Sequence, residues 1–211
     1  MFKEIFMADV YNIRGLKSVL PDDALVIDVG ANAGFFDILL LSKIKNAQIY
    51  AYEPLSSNVE RMRSIASSNR IFDKSVIINP FAVTGAACEM LRIYAQDTED
   101  NQVVASSLKE FNNDNTKELW VPAISLSEIM AGMPREKIDL LKMDCEGSEY
   151  EIILNTPPDM IRRIETMRIE VHHVDNQYNV RKLGRYLCEL GYDVNYSPIN
   201  GFCYALEAYK K

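Results

Sequence analysis

Residues 24–29 form a strand-length apolar run broken only by Asp28, and it passes directly into Gly30-Ala31-Asn32-Ala33-Gly34. A second apolar stretch, 35–44, is long enough for a helix. Another strand-length run, 48–52, ends in Glu53-Pro54, and 56–68 returns to helical spacing with Val59, Met62 and Ile65 on one face. Strand, glycine turn, helix and strand make a βαβ unit, which commits the chain to a parallel sheet because parallel neighbours need a crossover. Further strands are expected at 76–78, 90–94, 138–143, 167–172, 193–196 and 203–208, with helices at 126–130, 150–154 and 178–190. That alternation predicts an α/β fold whose early strands are buried on both faces. Ser197-Pro198-Ile199-Asn200-Gly201 is too short for a helical crossover, so the last two strands should pair as an antiparallel hairpin.

At 211 residues, 48% hydrophobic and 25% charged, the chain has the make-up of one globular domain. Lys and Arg total 23 against 30 Asp and Glu, a net charge of -7 with no basic patch, which argues against nucleic-acid or anionic-membrane partners. Four cysteines without a C-x-x-C pair give no zinc or disulfide framework, and a reducing cytoplasm is the expected compartment. No apolar stretch approaches the ~18 residues of a membrane span, and residues 1–21 lack a secretory core. In those residues Phe2, Ile5, Phe6, Val10, Ile13, Leu16 and Leu20 recur at helical spacing. They read as a helical segment packed on the domain, or as a partner-binding arm, before a single domain over 22–211. Residues 96–120 form a polar insertion, either a lid over a second substrate or a disordered surface loop.

Four constellations carry chemistry. In the glycine turn Asn32 replaces the middle glycine of a G-x-G-x-x-G dinucleotide fingerprint, which disfavours a pyrophosphate cradle but leaves a turn suited to a small carboxylate or phosphate. Glu53 lies about 20 residues beyond Gly30, where such units place an acid on ribose hydroxyls; a solvated carboxylate is the plainer alternative. Asp144, Glu146 and Glu149 follow a buried strand, and three acids so close need a cation or donors, although Glu146 and Glu149 also suit the first turn of a helix. Strand alternation puts Glu170 and His172 on one face and His173 on the other; these are the only two histidines. His172 is therefore the candidate proton acceptor, oriented by Glu170 or Asp144.

The stretches Val26 through Phe35, Tyr52 through Asn58, Leu141 through Tyr150 and Ile169 through His172, in that order and spacing, resemble the motifs of FkbM-type S-adenosylmethionine-dependent methyltransferases. The resemblance implies a Rossmann-like seven-stranded sheet in the order 3-2-1-4-5-7-6, flanked by helices and ending in an antiparallel strand. It implies S-adenosylmethionine as cofactor, S-adenosylhomocysteine as product, and O-methylation of a hydroxyl on a sugar or other metabolite. Position by position, Asp28, Gly30, Asn32, Gly34, Glu53, Asn58, Ala82 and Asp144 match cofactor-binding positions. Asp144, Glu146, Glu170 and His172 match those facing methyl transfer. No metal is expected, since no ligand spacing stands out, although carboxylates suit Mg²⁺. A nicotinamide-dependent oxidoreductase and a non-catalytic cofactor-binding protein are the competing readings. Neither the acceptor nor an oligomeric state is encoded in these motifs.

Overall fold

The computed structural model describes residues 9–95, 105–106 and 117–211. Five parallel strands form the centre of a seven-stranded sheet: β1 (Leu25–Val29), β2 (Gln48–Tyr52), β3 (Val76–Asn79), β8 (Ile138–Met143) and β9 (Ile164–His172). The hairpin of β10 (Tyr192–Pro198) and β11 (Cys203–Lys210) completes it, with β11 antiparallel to both β10 and β9. The order is β3-β2-β1-β8-β9-β11-β10, which is 3-2-1-4-5-7-6 when the strands of this sheet are counted along the chain.

The continuous apolar runs are explained by layers on both faces. In β1, Leu25, Ile27 and Val29 join the core under α5 (Leu126–Ala131), α6 (Glu149–Asn155), α7 (Pro158–Ile161) and α8 (Val180–Glu189). Val26 faces the opposite core, built by α1 (Ile13–Val19), α2 (Phe35–Leu41), α3 (Ser56–Ser68) and α4 (Arg70–Ser75). Ile13 and Leu16 are buried in this second core beside Phe36 and Leu40, so α1 packs on the domain. Helix starts follow local chemistry. Asn179 accepts from the Lys182 N–H and opens α8, and Ser125 with Glu128 forms a capping box at α5.

A smaller sheet departs from the expectation of one sheet. The strand expected at 90–94 is β5 (Met90–Ala95), and it pairs antiparallel with β6 (Ala105–Ser106) and β7 (Lys117–Ser125), while β4 (Ala82–Thr84) lies parallel to β7. β7 carries no strand signal of its own, because Pro122 interrupts it and cannot donate to a ladder. The structure places Pro122 where β7 changes partners: Lys117 to Pro122 pair with β5, and Ala123 to Ser125 with β4. The rest of the 96–120 insertion, 96–104 and 107–116, lies outside the described residues, as do residues 1–8. Among the described residues no helix is long and apolar enough to cross a membrane.

One polar group lies deep inside the second core. Asp28 and Lys142 are register neighbours on β1 and β8, and Lys142 Nζ sits 3.0 Å from Asp28 Oδ1 and donates to the Gly30 carbonyl at 2.9 Å. Asp37 of α2 is fully buried with them, and burial together with the Asp28 charge raises its pKa well above the carboxylate range. A carboxyl whose folded pKa is raised favours folding while protonated, and that contribution is lost as pH rises through the folded pKa. The melting temperature should therefore fall as pH rises above the ordinary carboxylate range, and fall less in Asp37→Asn. Parallel falls in the two proteins would show that Asp37 is not the group responsible.

Candidate functional site

The turn after β1 is shaped by two left-handed glycines and an asparagine. Gly30 (φ 75°) has no room for a side chain, since a Cβ there would stand 1.8 Å from the Asp144 carbonyl oxygen. Asn32 holds φ 51° and accepts the Ala33 N–H on its own Oδ1 at 2.7 Å. Glu53 ties the turn to the end of β2. It is almost fully buried; Oε2 accepts the Asn32 N–H at 2.9 Å, and Oε1 accepts from Leu55 N–H at 3.0 Å and Asn58 Nδ2 at 3.3 Å. A carboxylate offers about four acceptor positions, so Glu53 retains room for a further donor at Oε2.

A cleft of about 680 Å³, open to solvent, runs from this turn past the ends of the central strands. Gly30, Asn32, Glu53, Asn58, Asp144, Glu146 and Ser148 line it, and Phe81, Ala82 and Ile93 supply an apolar part of the wall. Two residues expected to bind cofactor do not reach it. Asp28 is buried beneath the turn with Lys142, and Gly34 packs on α4, where a Cβ would meet Phe72 at 2.9 Å. Both shape the turn from behind.

Beyond Asp144 and Glu146 the ends of β8 and β9 bring four acids around one imidazole. His172 Nδ1 is 3.0 Å from Glu149 Oε1, and Nε2 is 3.4 Å from Glu146 Oε2 and 3.8 Å from Glu170 Oε1. The orienting carboxylate is thus Glu149, not Glu170 or Asp144. Left-handed Glu146 (φ 52°) and Gly147 (φ 100°) fold the chain back, so that Glu149 Oε1 also accepts the N–H groups of Cys145 (3.3 Å) and Gly147 (3.0 Å). Its position at the start of α6 disguised it as a helix-terminal charge. Glu170 and Asp144 are instead engaged by Tyr11, whose buried hydroxyl lies 2.7 Å from Asp144 Oδ2 and 3.1 Å from Glu170 Oε2. Cys203, the register partner of His172, donates to Glu170 Oε1 at 3.1 Å. Tyr11 and Cys203 carried no sequence signal as site residues. Exposed His173 sits outside this cluster, as strand alternation requires.

The carboxylates dominate the electrostatics. Burial alone would lower the His172 pKa, but hydrogen bonds with Cys203 and Glu149 and the charges of Glu149 and Glu146 push it up to about 12. Burial, then Asp144, raises Glu170. The surrounding carboxylates therefore favour the protonated form of His172. The imidazole sits between Glu149 on one ring nitrogen and Glu146 and Glu170 on the other.

A family model for the methyltransferase FkbM domain matches residues 28–194, which takes in the turn, Glu53, the acidic cluster and His172. The chain belongs to the FkbM methyltransferase family. The 31-O-demethyl-FK506 methyltransferase FkbM of Streptomyces tacrolimicus is 25% identical over 200 residues, covering 83% of this chain and 75% of that protein. The AMB antimetabolite synthetase AmbE of Pseudomonas aeruginosa is 24% identical over 203 residues, 82% of this chain but only 9% of AmbE. Among solved structures, a FkbM methyltransferase from Methylobacillus flagellatus superposes with a TM-score of 0.58 at 14% identity, over 89% of this chain and 44% of that one. A precorrin-6y C5,15-methyltransferase from Geobacter metallireducens gives 0.54 at 15% identity, over 94% and 87%. At these identities the structures share the Rossmann-like methyltransferase fold. The cofactor of this methyltransferase is S-adenosylmethionine. The cleft fits it chemically: its lining holds a buried carboxylate with spare acceptor capacity, apolar side chains for a flat base, and acids for a cationic sulfur.

Proposed function

We propose that this FkbM methyltransferase transfers a methyl group to a hydroxyl of a small metabolite, such as a sugar, in the cytoplasm. The observation that carries the reading is a single cleft joining Glu53 to Asp144 and Glu146, with His172 behind them. Glu53 and Asn58 hold the ribose, Phe81 and Ala82 flank the adenine, and the turn from Gly30 to Asn32 brings backbone close to the cofactor. When bound, S-adenosylmethionine supplies an electrophilic methyl on a cationic sulfur. The chain's own task is to align an acceptor oxygen with that methyl, an effect worth several kcal/mol. Asp144, Glu146, Glu170 and His172 receive the acceptor hydroxyl, and a carboxylate of the cluster, held in place by His172, takes up its proton. The 96–120 insertion serves as the acceptor lid. Ser106 of β6 donates to the Glu146 carbonyl at 2.6 Å, which supports that role. The printed name of the Streptomyces relative, an O-demethyl substrate's methyltransferase, agrees with an oxygen acceptor.

The test is transfer from methyl-labelled S-adenosylmethionine to a panel of hydroxylated sugars and metabolites, with products resolved by mass and NMR. Label in a methyl ether is the expected result. Label on nitrogen or carbon would overturn O-methylation. Saturable NADH binding without S-adenosylmethionine binding would favour the oxidoreductase, and tight cofactor binding with no transfer to any acceptor would favour a binding protein.

A further inference from the structure

The cluster around His172 gathers four carboxyl groups, and part of it lies outside the cofactor cleft. Asp144 and Glu146 line that cleft, whereas Glu170, His172 and Cys203 do not. One donor atom from each of Asp144, Glu146 and His172 lies within 4.8 Å of the others. Ligands of an octahedral ion at ~2.1 Å are ~3.0 Å apart when adjacent and ~4.2 Å apart when opposite, and His172 Nε2 and Glu146 Oε2 already stand 3.4 Å apart. Lys142, the nearest lysine of β8, is already committed to Asp28 and the Gly30 carbonyl.

A separate observation comes from behind the imidazole. Metal-bound histidines almost always have their second ring nitrogen held by a carboxylate, carbonyl or water, which fixes tautomer and ring angle. Here Nδ1 is held by Glu149, a fully buried side chain whose Oε1 is pinned by two backbone N–H groups. Its other oxygen, Oε2, is buried without a hydrogen-bond partner among the described residues. With Nδ1 so committed, Nε2 faces Glu146 and Glu170.

We propose that Asp144, Glu146 and His172 bind one divalent metal ion, with Glu170 beside it. Imidazole with carboxylates suits ions of the Mn²⁺, Fe²⁺ or Mg²⁺ kind. A second donor set, Glu170, His172 and Cys203, shares the imidazole. The first is preferred because two of its members line the cleft, which sets the ion beside the methyl-transfer end, where a Lewis acid makes an acceptor hydroxyl easier to deprotonate. That catalytic use rests on the O-methylation reading, whereas ion binding does not. The absence of metal spacing in the sequence has a simple cause: the ligands come from the ends of two strands, β8 and β9, that the sheet brings side by side.

The experiment is a Mn²⁺ titration of the chelator-stripped full chain, followed by electron paramagnetic resonance, with S-adenosylhomocysteine binding measured separately by calorimetry. One tight Mn²⁺ per chain is expected. It should be lost in Asp144→Asn and His172→Ala, be weakened ~10- to 100-fold in Glu149→Gln, and persist in His173→Ala and Cys203→Ser. Glu146→Gln, at a half-buried side chain, should also lose the ion and covers the case in which His172→Ala does not fold. Only weak binding at many sites, or tight binding that survives Asp144→Asn and Glu146→Gln, would overturn the proposal. Loss in Cys203→Ser alone would overturn the ligand assignment. Adenosylhomocysteine binding without Mn²⁺ binding refutes this inference and leaves the functional reading standing; the reverse refutes the cofactor reading alone.

Discussion

His172→Ala should lower methyl transfer by ~10²- to 10⁴-fold while cofactor affinity stays within a few-fold of the parent, the range expected when the carboxylates that remove the proton lose the imidazole that holds them. The imidazole is the hub of the cluster, touching Glu149, Glu146 and Glu170, yet it does not line the cofactor cleft. A defect in turnover without a defect in cofactor binding is therefore its signature. His173→Ala is the control, because that side chain is exposed and outside the cluster. Rates from single turnovers with the responding acceptor separate chemistry from product release. Equal losses in the two variants, or none in His172→Ala, would remove the cluster from the reaction and leave alignment as the source of rate.

Gly30→Ala should abolish measurable cofactor binding. The left-handed conformation alone disfavours alanine by ~1–2 kcal/mol, and the added methyl would collide with the Asp144 carbonyl at 1.8 Å. Relief requires moving either the turn or Asp144, and both line the cleft. Gly201→Ala, where a Cβ meets nothing within 4 Å, should leave melting temperature and cofactor affinity unchanged. Calorimetry with S-adenosylhomocysteine and a thermal melt decide it. A folded Gly30→Ala protein that binds normally would mean that the turn does not set the cofactor's position.

What could be read from the sequence was what local periodicity encodes. The first βαβ unit stood out because strand, turn and helix are contiguous, and Gln48–Tyr52 and Ser56–Ser68 are found where alternation and spacing put them. Glu53 was legible from its distance beyond Gly30, and His172 from its place at a strand end. Partners joined only by sheet register were not legible. Tyr11 reaches Asp144 across 133 positions, and Cys203 meets His172 because β11 pairs with β9. Glu149 was seen as a helix-terminal charge, because its reach back to His172 depends on left-handed backbone at Glu146, a non-glycine residue for which that conformation is uncommon. Pro122 concealed β7 for a related reason: the strand tolerates proline only because it exchanges partners there.

The central claim is that S-adenosylmethionine occupies the cleft with its ribose on Glu53. The most direct measurement is the affinity of S-adenosylhomocysteine for the parent and for Glu53→Gln, by calorimetry on proteins whose folding is checked by circular dichroism. The amide removes the charge and, whichever way it turns, sets its NH₂ against either the Asn32 or the Leu55 N–H. Hydrogen bonds to charged groups are worth ~1.5–3 kcal/mol, so the affinity should fall ~10- to 100-fold. An unchanged affinity in the folded variant would contradict the account and place the cofactor elsewhere.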